Sequence, residues 1–94
     1  VTRFRDALDA ALDEFTPEFI LVSAGYDAVR GDPLGRLLLE VADFHTLTLE
    51  VLDRAHATAG GRVAAVLEGG YAPESLGDGV VDTLRALTGQ PPRD

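Results

Sequence analysis

Two side chains that can do chemistry each follow an apolar run and a glycine. Asp27 stands two residues after Gly25, and Tyr71 directly follows the pair Gly69-Gly70. Glycine at such a point lets the backbone adopt a positive φ angle or approach a ligand closely. A buried carboxylate requires a paired cation or a metal ion, and a phenolic hydroxyl can act as a catalytic hydrogen-bond donor. Asp27 and Tyr71 are therefore the candidate functional residues.

Both residues also have ordinary structural explanations. Asp27 can be a turn or helix-cap carboxylate, because aspartate is common in loops for that reason alone, and Asp32 more simply turns the same loop. Tyr71 can be a half-buried aromatic residue whose hydroxyl lies in water. Residue type and spacing leave a catalytic and a structural interpretation open for each.

The two histidines cannot share a metal ion. His45 and His56 are eleven residues apart on one predicted helix, and a rise of about 1.5 Å per residue separates them by roughly 16 Å. His45 is in register with Val41 and Leu52, so we expect a partly buried histidine with a hydrogen-bond partner rather than a ligand. The sequence also contains no dinucleotide-binding, P-loop or nucleophile-elbow motif.

Hydrophobic periodicity divides the chain into three helices and two strands. Their predicted order is helix, strand, helix, strand, helix, over residues 3–14, 19–22, 37–58, 63–67 and 74–87. Pro17 stops the first helix, and Gly60-Gly61 and Gly89 close the other two. Residues 25–36 form a long loop rich in glycine, and residues 89–94 form a tail.

Both strands are continuous apolar runs, which is typical of parallel strands covered on both faces. Ligands bind such sheets at the carboxyl ends of the strands, where Asp27 and Tyr71 share one crevice if the strands are neighbours. Two parallel strands alone would leave open edges and uncovered faces. We therefore expect this chain to be part of a larger α/β domain.

Composition excludes several classes of function. The 94 residues carry 16 acidic and 8 basic residues, a formal charge of -8, and no cysteine. The basic residues are dispersed, which argues against nucleic-acid binding, and no apolar run is long enough for a membrane span. The absence of cysteine excludes disulfides and thiolate metal sites and fits a reducing compartment, so we expect a cytoplasmic protein.

Three ordered motifs resemble the carboxyl-terminal part of the histone deacetylase superfamily, which includes acetylpolyamine amidohydrolases and acetoin-utilisation-type deacetylases. The motifs are residues 22–28 (VSAGYDA), 31–35 (GDPLG) and 67–71 (LEGGY). The resemblance implies a fragment of the arginase/deacetylase-type three-layer α/β/α fold with a parallel sheet. Residues 1–94 would be the carboxyl-terminal part of a single deacetylase domain.

The resemblance also assigns roles to individual residues. It implies that Asp27 is a zinc ligand and that the Tyr71 hydroxyl polarises the acetyl carbonyl and stabilises the oxyanion. It places Gly69 and Gly70 in the wall of the acyl-lysine channel, together with Leu34. The remaining zinc ligands and the tandem histidines of the family have no counterpart in this sequence.

The function implied by the resemblance is that of a zinc-dependent deacetylase. The complete domain would hydrolyse the acetyl amide of acetyl-lysine or of an acetylated polyamine, and the 94-residue chain alone would be inactive. The alternative is a non-catalytic small α/β binding or interaction module that keeps the motifs as inherited turns. Neither interpretation involves direct contact with nucleic acid or a membrane, and the oligomeric state stays open.

Overall fold

The computed structural model describes residues 2–28 and 39–93. It contains helices α1, α2 and α3, strands β1 and β2, and one short 3-10 turn after β1. Their bounds are α1 Thr2–Glu14, β1 Ile20–Ala24, the 3-10 turn Tyr26–Ala28, α2 Asp43–Thr58, β2 Val63–Leu67 and α3 Pro73–Leu87. The predicted order of elements is confirmed. Within the described residues, no helix is both long and apolar enough to cross a membrane.

Helix α2 begins later than its periodicity predicts. The pattern indicates a helix from residue 37, but Leu39 lies in a β-bridge and α2 begins at Asp43. A closed turn precedes the helix, in which the Glu40 N–H donates to the Asp43 carboxylate at 2.9 Å and the Asp43 N–H donates to the Glu40 carbonyl at 3.0 Å. Aspartate side chains compete with helical hydrogen bonds in this way. The prediction for residues 39–42 was therefore wrong.

The carboxyl end of α2 depends on two glycines. The N–H groups of Ala59 and Gly61 both donate to the Ala55 carbonyl, at 2.8 and 2.9 Å. Gly60 and Gly61 have φ angles of 61° and 79°, which a residue with a Cβ rarely adopts. These glycines turn the chain back toward β2, as predicted.

The two strands form a parallel pair, which confirms the predicted sheet. The register runs from Ile20 opposite Val63 to Ala24 opposite Leu67, and α2 forms the crossover between them. Because the strands run parallel, their carboxyl ends meet at one edge of the sheet. The segments after Ala24 and Leu67 therefore lie side by side.

Described residues cover one of the two sheet faces, and only in part, because Ala65 and Leu67 on that face are exposed. On β1 the side chains of Ile20, Val22 and Ala24 are half-buried, whereas Leu21 is 65% exposed. Val66, which lies on the same face as Leu21, is also exposed. A sheet in a three-layer fold needs a second layer on that face. The exposed apolar face therefore agrees with the prediction that the chain is part of a larger domain.

Helix α1 is attached mainly by charged side chains, because none of its residues is buried. Arg5 pairs with Glu50 of α2 at 2.7 Å, and Asp9 pairs with Arg54 of α2 at 3.0 Å. The hydrogen bond from Arg5 is the main cause that lowers the pKa of the Glu50 carboxyl below its ordinary value. The α1 partner of each pair is exposed, Arg5 by 43% and Asp9 by 54%, and ion pairs near the surface stabilise weakly. We therefore expect α1 to be held less firmly than α2 and α3.

The segment 89–93 is anchored, although the sequence predicted only a tail. His45, which is 4% exposed, donates from Nε2 to the Gln90 carbonyl at 2.8 Å. This contact confirms the expected partnered histidine, which is more deeply buried than predicted. Arg93 binds the buried Asp82 carboxylate through two donors, at 2.7 and 3.1 Å. That interaction is the main cause that raises the pKa of the Arg93 guanidinium.

We expect Arg93→Met to accelerate amide hydrogen exchange in α3 more than Asp82→Ala does. The first variant leaves a buried carboxylate without its cation, whereas the second leaves a guanidinium that is 38% exposed and still close to Asp78. Combining the two substitutions should return exchange to the level of Asp82→Ala. Exchange measured by mass spectrometry over residues 73–93 tests this, and a double variant as fast as Arg93→Met would contradict it.

Candidate active site

The two loops that leave the carboxyl edge of the sheet are joined by backbone hydrogen bonds. The Glu68 N–H donates to the Ala24 carbonyl at 3.0 Å, and the Tyr26 N–H donates to the Gly69 carbonyl at 2.8 Å. Pairing therefore continues beyond the last residues of both strands. The loop that carries Asp27 and the loop that carries Tyr71 form one unit, as the sequence predicted for neighbouring strands.

The carboxylate of Asp27 lies directly over Gly69. A Cβ built on Gly69 would be 2.7 Å from Asp27 Oδ2 and 2.8 Å from its Cγ, and a Cβ on Gly25 would be 3.0 Å from its Oδ1. Real Cβ atoms do not make contacts below 3.0 Å. Gly69 is therefore required for close approach, which is one of the two roles predicted for these glycines.

We expect Gly69→Ala to separate the two loops. The added methyl group clashes with the Asp27 carboxylate, so the hydrogen bond from the Tyr26 N–H to the Gly69 carbonyl should weaken. Loss of one such bond corresponds to about tenfold faster amide exchange at Tyr26, which NMR can measure. Gly77→Ala is the matched control because nothing lies within 4 Å of its Cβ position. Equal exchange in the two variants would contradict the proposed clash.

Gly70 turns the chain between the core and Tyr71. Its φ angle is 146°, and a Cβ there would lie 2.7 Å from Leu76 Cδ1 and 3.1 Å from Tyr26 Cβ. Both the positive φ and the close packing therefore require glycine. The next residue, Tyr71, is 49% exposed. An aromatic ring presented at this edge suits contact with a substrate and equally suits a half-buried surface residue.

The described residues contain one candidate metal ligand rather than a complete site. In residues 2–28 and 39–93, no group of three or more His, Cys, Asp or Glu side chains could hold a metal ion. Asp27 fits a single ligand position, because its side chain is half-buried at the sheet edge and its carboxylate lies close to Gly25 and Gly69. His45 uses its Nε2 to bind the Gln90 carbonyl. Leu34, predicted for the channel wall, lies outside the described residues.

The sequence interpretation missed the contacts beside Asp27 that attach its loop to α2 and α3. The sequence pattern assigns no role to Tyr26, but its ring is buried and packs on Phe44 with 4.7 Å between centroids. Its hydroxyl donates to Thr83 of α3 at 2.9 Å. The sequence carried no signal for this contact, because Gly77 and Gly79 both lie inside α3 and only Gly79 would meet a neighbour within 4 Å if it carried a Cβ.

Comparison with known proteins connects this geometry to one family. The family model described as "Histone deacetylase domain" matches residues 1–87. The chain is 43% identical over 88 residues to "Histone deacetylase 10, chloroplastic" of Oryza sativa subsp. japonica, covering 94% of this chain and 20% of that protein. It is 50% identical over 80 residues to "Polyamine deacetylase HDAC10" of Homo sapiens, covering 83% of this chain and 11% of that protein.

A solved structure shows the same similarity in three dimensions. The chain superposes on the structure titled "Structure of the histone deacetylase Clr3" with a TM-score of 0.74 and 33% sequence identity. The match covers 89% of this chain and 14% of that chain. This chain therefore spans a fifth or less of the length of these relatives.

Proposed function

Because the chain belongs to the histone deacetylase family, we propose that residues 1–94 are the carboxyl-terminal part of a zinc-dependent deacetylase domain. The observation that carries the proposal is the Asp27 carboxylate, which lies against Gly69 in the same loop that presents Tyr71. A metal ligand and a hydrogen-bond donor on two joined loops are suited to amide hydrolysis. The complete domain would cleave an acetyl amide into acetate and a free amine.

In this proposal Asp27 is one of the zinc ligands. Catalytic zinc takes three protein ligands and keeps one position open, so a single carboxylate cannot hold it. When bound, zinc lowers the pKa of a coordinated water and polarises the acetyl carbonyl. The remaining ligands would come from outside this chain, and the chain alone would then be inactive.

Tyr71 would act on the acetyl carbonyl oxygen. As water adds to the carbonyl carbon, negative charge develops on that oxygen, and the phenolic O–H of Tyr71 would donate a hydrogen bond to it. Such a donor stabilises the transition state more than the bound substrate. Gly69 and Gly70 would line the channel for the acyl chain, and Leu34 would complete its wall.

The substrate class follows from the family and from two relatives. Their names describe a histone deacetylase and a polyamine deacetylase, so we propose acetyl-lysine or an acetylated polyamine. We also propose that the protein acts in the cytoplasm without binding nucleic acid or a membrane. Its lack of cysteine and its dispersed basic residues support these two points.

A chimera tests the proposed function. In the rice histone deacetylase 10, this chain would replace the matching segment of 88 residues. We refer to the resulting hybrid protein as the deacetylase chimera. We expect it to bind one zinc ion and to hydrolyse an acetyl-lysine peptide. A folded chimera that binds no zinc would contradict the proposal and favour the non-catalytic interaction module.

The isolated chain provides the complementary experiment. We expect the 94-residue protein to contain no stoichiometric zinc by metal analysis and to release no acetate from an acetyl-lysine peptide. Zinc binding together with turnover by this chain would refute the proposal that its metal site is incomplete.

A further inference from the structure

The residue beside Asp27 is fixed more firmly than Asp27 itself. Tyr26 is 4% exposed, and its ring packs on Phe44 at an interplanar angle of 50°. Its hydroxyl donates to Thr83 Oγ1 at 2.9 Å, and that hydroxyl donates in turn to the Gly79 carbonyl at 3.0 Å. Tyr26 is thus packed against α2 and joined to α3 by a hydrogen-bond chain.

Gly79 makes room for this ring. A Cβ on Gly79 would lie 2.6 Å from Tyr26 Cδ1 and 3.1 Å from its Cε1, and 3.3 Å from Phe44 Cδ2. Glycine is otherwise unfavourable in a helix interior, where alanine is preferred. Gly77, two positions earlier on the other side of α3, has nothing within 4 Å of its Cβ position. The close contact is therefore specific to Gly79.

We propose that Tyr26 is a positioning residue for the metal site, held in place on α3 by its contacts with Gly79 and Thr83. This inference rests on the proposed function, because it assigns Asp27 to the metal. The backbone N–H of Tyr26 binds the Gly69 carbonyl, while its side chain is fixed on α3. Tyr26 therefore determines where the next residue, Asp27, leaves the backbone.

Small displacements of Tyr26 matter because zinc sites tolerate only a narrow range of zinc–ligand distances. Zinc–oxygen distances in protein sites are about 2.0 to 2.2 Å, with a tolerance of about 0.2 Å. Consecutive Cα atoms are about 3.8 Å apart and joined by a planar peptide. If the Tyr26 ring moves by several tenths of an ångström, we expect the Asp27 carboxylate to shift by more than the tolerance of a zinc–oxygen distance.

The test compares Gly79→Ala with Gly77→Ala in the deacetylase chimera. We expect Gly79→Ala to weaken zinc affinity about tenfold, the lower end of the effect of residues that orient metal ligands. The visible absorption spectrum of the cobalt-substituted protein should change as well. Gly77→Ala should leave both unchanged, since its methyl group meets nothing. Zinc affinity is measured by competition with a chelator, and the cobalt spectrum reports ligand geometry independently of activity.

A second substitution keeps the inference testable if Gly79→Ala does not fold. Thr83→Val is nearly isosteric and removes only the hydroxyl that accepts the Tyr26 O–H, so we expect a smaller loss of zinc affinity, about threefold. Unchanged affinity and an unchanged cobalt spectrum, with or without a lower melting temperature, would overturn the positioning role. Asp27→Ala separates the two claims: if it retains zinc, the proposed function itself fails.

Discussion

Asp27→Ala is expected to abolish zinc binding and deacetylation together in the deacetylase chimera. No group of three or more His, Cys, Asp or Glu side chains in residues 2–28 and 39–93 could hold the metal ion in its place. Removing a ligand should weaken zinc affinity by more than about 100-fold, beyond the effect of changing a residue that only orients a ligand. Metal analysis after dialysis, together with acetate release, measures both losses.

A matched aspartate distinguishes ligand loss from a general effect of charge. Asp13→Ala removes an exposed carboxylate from α1 and should leave zinc content and turnover unchanged. The Asp27→Ala protein should also retain its circular dichroism spectrum, because the half-buried side chain lies at a loop rather than in the core. Full zinc occupancy in Asp27→Ala would remove the central residue of the proposed site.

The strands were predictable because their signal is local. Strand β2 covers residues 63–67 as predicted, since a continuous apolar run is bounded by Arg62 and Glu68, with a pair of glycines beyond each. Strand β1 begins one residue later than predicted and extends to Ala24. Parallel pairing also followed, because a helix of this length between two such runs favours a crossover.

The start of α2 could not be predicted from periodicity. Val41 and neighbouring apolar residues keep the helical spacing, so the pattern continues through the turn that precedes the helix. The turn is closed by hydrogen bonds between Glu40 and Asp43. Whether an aspartate side chain caps a turn or faces solvent within a helix depends on its tertiary surroundings.

The candidate site shows the same division between local and tertiary information. Asp27 and Tyr71 were identifiable because each follows a strand and glycine, and the parallel register brings those ends together. The contact of Tyr26 with Thr83 joins residues 57 positions apart, which a single sequence does not encode in any spacing. Whether a face of the sheet is exposed or buried likewise depends on which other elements pack on it, and its own apolar residues do not decide this alone.

Tyr71→Phe is expected to lower kcat about 100-fold to 1000-fold while zinc binding stays intact. The substitution keeps the ring, which is 49% exposed, so no buried packing is lost and the fold should persist. Loss of a single oxyanion donor typically has this magnitude. Steady-state kinetics with an acetyl-lysine peptide and zinc analysis of the same protein provide the measurement.

The division of the effect between kcat and KM decides what Tyr71 does. A donor that acts only as charge develops on the carbonyl oxygen lowers kcat and kcat/KM equally and leaves KM unchanged. A tyrosine that merely lines the entrance would raise KM at constant kcat. Retained turnover in Tyr71→Phe would refute the oxyanion role, and because zinc content is measured in parallel, that result would leave the assignment of Asp27 standing.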